Sequence, residues 1–151
     1  MCGASKISLE AKVEFILDNL AIGSAHDVRN PPTSITALLC VAEELDLPAE
    51  GRIYHKVPIA DMRPIPAGQL REAVWWLREN LEGNRVMVFC NGGVGRSPSV
   101  VIAYLCCVLG LGFGEAVEFA ARRKPYISIL PDLITSIDLI RGAPWKSATS
   151  S

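Results

Sequence analysis

The run Arg85-Val86-Met87-Val88-Phe89-Cys90-Asn91-Gly92-Gly93-Val94-Gly95-Arg96-Ser97-Pro98 decides how the chain is read. Arg85 to Phe89 has the apolar density and length of a strand, the next residues include three glycines, and Ser97-Pro98 opens a helical run that continues through Ser99 to Leu109. Glycines lacking Cβ let consecutive backbone N–H groups turn inward, and the helix N-terminus adds partial positive charge, so such a loop forms a nest for a dianion. Arg96 closes the ring with a planar fork that matches two phosphoryl oxygens. The same field acts on Cys90: a cysteine beside an arginine at a helix N-terminus ionises readily, and its thiolate is both a nucleophile and a leaving group. Free cysteine is most often a buried small hydrophobe. A core position, however, has no use for three glycines and an arginine in the following six residues.

Outward from this stretch, strand and helix patterns alternate, which predicts an α/β architecture around one sheet. Val13 to Leu17 and Leu20 to Ile22 flank Asp18-Asn19 as two short strands, and Ser24 to Asn30 suits a short helix stopped by Pro31-Pro32. Ile35 to Val41 is nearly continuous in apolar residues, the pattern of a strand covered on both faces, and Ile53 to Ile59 reads as another strand. Leu70, Ala73, Val74, Leu77 and Leu81 recur at helical spacing with Arg71, Glu72, Arg78, Glu79 and Glu82 on the other faces, and Gly83 stops this amphipathic helix. Gly114 to Arg123 and Asp132 to Arg141 are two further helices by pattern. Residues 1–145 are expected to form one domain and Lys146 to Ser151 a disordered tail.

Composition narrows the function. Fifteen Lys and Arg against sixteen Asp and Glu give a formal charge of -1, without the basic excess of a nucleic-acid or anionic-membrane binder. Half the residues are apolar, as in a packed globular domain. The cysteines Cys2, Cys40, Cys90, Cys106 and Cys107 are odd in number and lack metal-ligand spacing, and Met1 to Lys12 contains no signal-type apolar run. A reduced, cytoplasmic chain is the expectation. Val100 to Leu109 falls well short of the ~20 apolar residues that span a bilayer. His26 and His55 lack companions for a metal site, and Trp75-Trp76 divide between core and surface by helical position.

The loop resembles that of the cysteine-dependent phosphatases, specifically the small dual-specificity group of the protein tyrosine phosphatase superfamily. The resemblance extends from Leu20-Ala21-Ile22-Gly23-Ser24-Ala25-His26-Asp27 through Val41-Ala42-Glu43-Glu44 and Tyr54 to Asp61 to Arg122-Arg123-Lys124-Pro125. It implies an α/β fold of the protein tyrosine phosphatase type, with a mixed central sheet of about five strands flanked by helices on both faces. It further implies phosphomonoester hydrolysis through a cysteinyl-phosphate, with no metal and no other cofactor, on a phosphorylated protein or peptide, by a monomer. Cys90 is then the nucleophile, Asn91, Gly92, Gly93, Val94, Gly95 and Arg96 bind phosphate, and Ser97 assists the departing thiolate. Asp61, 29 residues before Cys90 on a proline-bounded loop, takes the family's general-acid place, where the bland alternative is a solvated turn aspartate.

Three positions depart from or extend the pattern. Phe89 stands where the family has His before the nucleophile, so reduced activity is expected. Asp132 stands where many relatives have a loop-supporting Asn, and a local rearrangement is expected there. Cys40 falls where some relatives carry a second cysteine able to form a disulfide with the nucleophile, the alternative being a packed strand residue. Arg122-Arg123-Lys124 is read as a solvated helix end. Short connections imply a shallow cleft open to phosphoserine, phosphothreonine and phosphotyrosine. Absence of a cation within Asn91 to Gly95 argues against phosphoinositides. A phosphoglucan substrate, a catalytically silent phosphate-binding module and a rhodanese-like sulfurtransferase are the rival readings.

Overall fold

A computed structural model describes residues 12–142, so the predicted tail 146–151 and the two ends of the predicted domain lie outside the described residues. The strands are β1 (Glu14–Leu17), β2 (Leu20–Ser24), β3 (Ala37–Cys40), β4 (Ile53–Lys56) and β5 (Val86–Cys90), and the helices α1 (Ala25–Val28), α2 (Ala67–Asn80), α3 (Arg96–Cys107), α4 (Phe113–Arg123) and α5 (Leu133–Arg141). Each predicted element is present, with its boundaries adjusted for local reasons. The strand pattern Ile53 to Ile59 is cut to Ile53–Lys56, although Val57 still donates to the Cys40 carbonyl at 2.8 Å. Pro58 has no N–H with which to continue the ladder. The short helix after β2 is set by a reciprocal cap, in which the Asp27 N–H donates to Ser24 Oγ while the Ser24 N–H donates to Asp27 Oδ2.

The sheet order is β1-β2-β5-β3-β4, with β1 antiparallel to β2 and the other neighbours parallel. This is the mixed five-stranded sheet expected. Every residue of β3 and β5 is buried, which requires cover on both faces and accounts for their unbroken apolar sequence. Helices α2, α3, α4 and α5 pack on one another, while the one-turn α1 contacts β2 and β5.

The topology locates the site. With β5 between β2 and β3, the segments that leave the carboxyl ends of these parallel strands converge on the β5–α3 loop. Such a crevice at the strand ends is where open α/β sheets bind ligands. Helix α3 begins at Arg96, one residue before the Ser97-Pro98 opening expected from the sequence, and Pro98 falls in the first turn, where its missing N–H has no intrahelical use. The helix N-terminus therefore opens directly into the loop.

Candidate active site

Residues 91–95 connect β5 to α3 in a closed turn that Gly93 and Gly95 make possible. Gly93 has φ +73°, and a Cβ there would lie 2.8 Å from the Gly23 carbonyl oxygen. A Cβ at Gly95 would lie 3.2 Å from the Ser128 carbonyl oxygen and 3.5 Å from Asp61 Oδ1. The loop is tied to its surroundings by Ala25 N–H to Asn91 O at 3.0 Å and Ser128 N–H to Val94 O at 2.8 Å. Ser99 Oγ donates to Gly95 O at 2.7 Å and accepts from Leu130 N–H at 3.0 Å. In contrast, the N–H groups of residues 91, 92, 94, 95 and 96 donate to no backbone carbonyl among the described residues. Nearly the full set of loop amides is thus available to an oxyanion.

Cys90 closes β5 and is 2% exposed. Its Sγ accepts from Gly93 N–H at 3.2 Å and lies 3.2 Å from Ser97 Oγ in a second hydrogen bond. Phe89, fully buried in β5, brings no polar group to this sulfur. The neighbours suited to hold a sulfur anion are the Gly93 amide and the Ser97 hydroxyl.

The Arg96 side chain is 3% exposed and its donors can be assigned one by one. Nη1 and Nη2 each donate to one oxygen of Glu44 at 2.6 Å, and Nη1 also donates to the Ile59 carbonyl at 3.0 Å. Nε is buried without a hydrogen-bond acceptor and lies 3.8 Å from Asp61 Oδ1. A guanidinium carries five N–H bonds. Three are engaged, leaving Nε–H and the second Nη2–H, which lie parallel along one edge of the fork. That edge suits two oxygens of a phosphoryl group.

Glu44 is the functional residue that the sequence reading missed. The Arg96 guanidinium beside it holds its carboxyl well down, at about 2, despite partial burial that acts the other way. Because this pKa is depressed, the charged pair is intact above the ordinary carboxylate range and is lost only as pH falls through about 2. The signal for it was an acid just past the carboxyl end of β3, the strand adjoining β5. Glu44→Gln is expected to keep the side-chain shape while loosening the fork, weakening competitive inhibition by inorganic phosphate about tenfold. An inhibition constant unchanged from wild type would remove Glu44 from the site.

Asp61 follows Ile59 in the segment after β4, and 54% of its side chain is exposed at the mouth of the cradle. The Met62 N–H donates to Asp61 Oδ1 at 2.9 Å, with Met62 at φ 59°. A non-glycine residue in that region costs ~1–3 kcal/mol and clusters at functional sites. Cys90, Arg96, Ser97 and Asp61 are thus brought together as expected, with Asn91 to Gly95 forming the loop between them.

Other sequence candidates are placed elsewhere. Cys40 pairs in register with Phe89 rather than Cys90, and its Sγ donates to the carbonyls of Ala42 at 3.7 Å and Leu45 at 3.5 Å. Burial pushes this thiol's pKa up. Side chains alternate faces along a strand, so Cys40 shares its face with Phe89 and not with Cys90. Asp132 takes a left-handed conformation, φ 55°, without a side-chain cap bond, and the loop is supported by Ser99 instead. His55 bonds Glu72 at 2.9 Å and stacks on Trp76, the buried member of the tryptophan pair. Arg122 pairs with Glu118 and Lys124 with Glu14, while Arg123 lies over the Phe119 ring, the behaviour of a helix end.

Residues 24–139 match the family model for the dual specificity phosphatase catalytic domain. The mouse dual specificity protein phosphatase 15 is 27% identical over 116 residues, covering 73% of this chain and 49% of the relative. The human dual specificity protein phosphatase 4 is 31% identical over 140 residues, covering 84% of this chain and 34% of the relative. The chain therefore spans about half the length of the mouse relative or less of such proteins. Among solved structures, the crystal structure of DUSP15 superposes with a TM-score of 0.74 at 22% identity, covering 89% of this chain and 90% of that one.

Proposed function

Since the chain belongs to the dual specificity phosphatase catalytic-domain family, we propose that it hydrolyses phosphomonoesters of tyrosine, serine and threonine in proteins, without a metal, through a cysteinyl-phosphate. The observation that carries this reading is the donor arrangement of Arg96. The remaining edge of a buried, Glu44-held fork lies in the same loop as the Cys90 sulfur and the available amides.

In the first step the Cys90 thiolate attacks phosphorus in line. The Cys90 S–P bond forms as the ester P–O bond breaks, and Asp61 delivers its proton to the departing oxygen. The loop amides of residues 91 to 96, with Nε and Nη2 of Arg96, hold the equatorial oxygens and supply fixed charge stabilisation. In the second step the ionised Asp61 takes a proton from water, the water oxygen attacks phosphorus, and the S–P bond breaks. The Ser97 hydroxyl, 3.2 Å from the sulfur, donates to the regenerated thiolate. Phe89 removes one imidazole from this scheme and leaves its other parts in place.

The test is release of inorganic phosphate from aryl phosphates by the wild-type protein and by Asp61→Asn. Loss of the acid matters in proportion to the leaving group's need for a proton. With phenyl phosphate, Asp61→Asn is expected to lower kcat by about 10²-fold or more, and with a strongly acidic nitrophenol leaving group by much less. A uniform loss for both substrates would remove Asp61 from proton transfer. Tight binding of inorganic phosphate with no turnover of either ester would identify a phosphate-binding module instead, and thiosulfate turnover a sulfurtransferase.

A further inference from the structure

We propose that the groove beside the phosphate cradle selects protein substrates with an apolar side chain next to the phosphorylated residue, with Met62 and Ile129 as its specificity-determining residues. The inference rests on the phosphatase reading above and narrows its substrate class. The groove has a volume of about 410 Å³ and is bordered by Asp61, Met62, Val94, Gly95, Ile129 and Pro131.

Two of those residues tie the groove to the reaction. Gly95 belongs to the loop that holds phosphate, and Asp61 must reach the leaving oxygen, so the body of the substrate leaves the cradle directly into this space. The other walls are mostly apolar, with Ser128 the polar exception: Met62 is 81% and Val94 43% exposed, Ile129 is half-buried, and Leu130 is buried behind them. A flanking Leu or Val would remove these surfaces from water, the direction in which the hydrophobic effect acts. A flanking Glu would meet no cation among the lining residues and would stand beside the Asp61 carboxyl.

The groove is also preformed. The Ser128 N–H to Val94 O bond and the Leu130 N–H to Ser99 Oγ bond pin its far wall to the cradle. On the near wall Met62 holds a left-handed backbone, φ 59°, that keeps a large apolar side chain out in solvent immediately after the acid. An exposed methionine in an uncommon conformation at that position fits contact with a substrate rather than core packing.

The experiment compares phosphotyrosine peptides that are identical except for Leu, Glu or Lys on either side of the phosphorylated residue. Each is assayed for kcat/KM alongside para-nitrophenyl phosphate, whose leaving group has no flanking residue. At one flank Leu is expected to exceed Glu by about tenfold. Met62→Lys, at an exposed position that does not contribute to the core, should shift the Leu-to-Glu ratio toward Glu by about fivefold or more, with Ile129→Lys acting in the same direction. Because the ratio is taken within each variant, a general loss of rate does not imitate the result. Equal rates for Leu and Glu at both flanks, or a ratio unmoved by Met62→Lys, overturns the proposal while para-nitrophenyl phosphate is still hydrolysed. Failure of the wild-type protein to hydrolyse para-nitrophenyl phosphate overturns the phosphatase reading itself and takes this inference with it.

Discussion

Cys90→Ser is expected to lower kcat for para-nitrophenyl phosphate by ~10⁴-fold or more while leaving inorganic phosphate able to bind. Cys90 is 2% exposed at the base of the loop, and the serine side chain would take the place of the sulfur there. A serine hydroxyl is a far weaker nucleophile than a thiolate, and the scheme contains no base to activate it. Its oxygen would still accept from Gly93 N–H and meet Ser97 Oγ, which are the two bonds the sulfur makes now. The fold and the cradle should therefore survive. Turnover is measured by phosphate release, and binding by titration with inorganic phosphate. Retention of a tenth or more of wild-type turnover would mean that chemistry occurs through another group.

Arg96→Lys is expected to be the second largest loss, about 10²–10³-fold in kcat/KM, equivalent to removing one preorganised charge-bearing donor set from the transition state. Formal charge is kept, so the loss isolates geometry. The guanidinium holds Glu44 with two donors and the Ile59 carbonyl with a third while presenting a two-donor edge to the oxyanion. An ammonium has three donors in total and no planar fork, and it cannot serve Glu44, Ile59 and two phosphoryl oxygens together. Glu44 is 42% exposed and can be hydrated when its partner changes, so the thermal midpoint should move much less than the rate. Steady-state kinetics with a melting curve checks both halves. A lysine variant within threefold of wild type would show that the fork is dispensable.

The two residues tested above were legible because their partnership is local. Seven consecutive positions contain the nucleophile, the amides and the guanidinium, and the strand before them and helix after them announce themselves by apolar pattern. The fold class was legible for a similar reason: β3 and β5 are unbroken apolar runs because both of their faces are buried. Boundaries were less so. Pro58 ended β4 earlier than its apolar pattern, since a missing backbone donor and not side-chain polarity decided that boundary. Asp61 was placed through the resemblance to a family, and its position alone did not separate an acid from a turn residue.

By itself the sequence determined that a strand, a glycine-rich turn and a helix would assemble a cysteine and an arginine around an anion, because contacts spanning a few residues follow from backbone geometry. Only the tertiary structure decided that Glu44, 52 residues from Arg96, would hold the fork, and that Ile59, 37 residues away, would accept its third bond. It alone turned the Cys40 thiol toward Ala42 and Leu45 and brought Asp61 to 3.8 Å from Arg96 Nε. These contacts depend on β5 lying between β2 and β3, and strand order is set by which apolar faces bury together across the whole chain, a global condition that no local periodicity encodes.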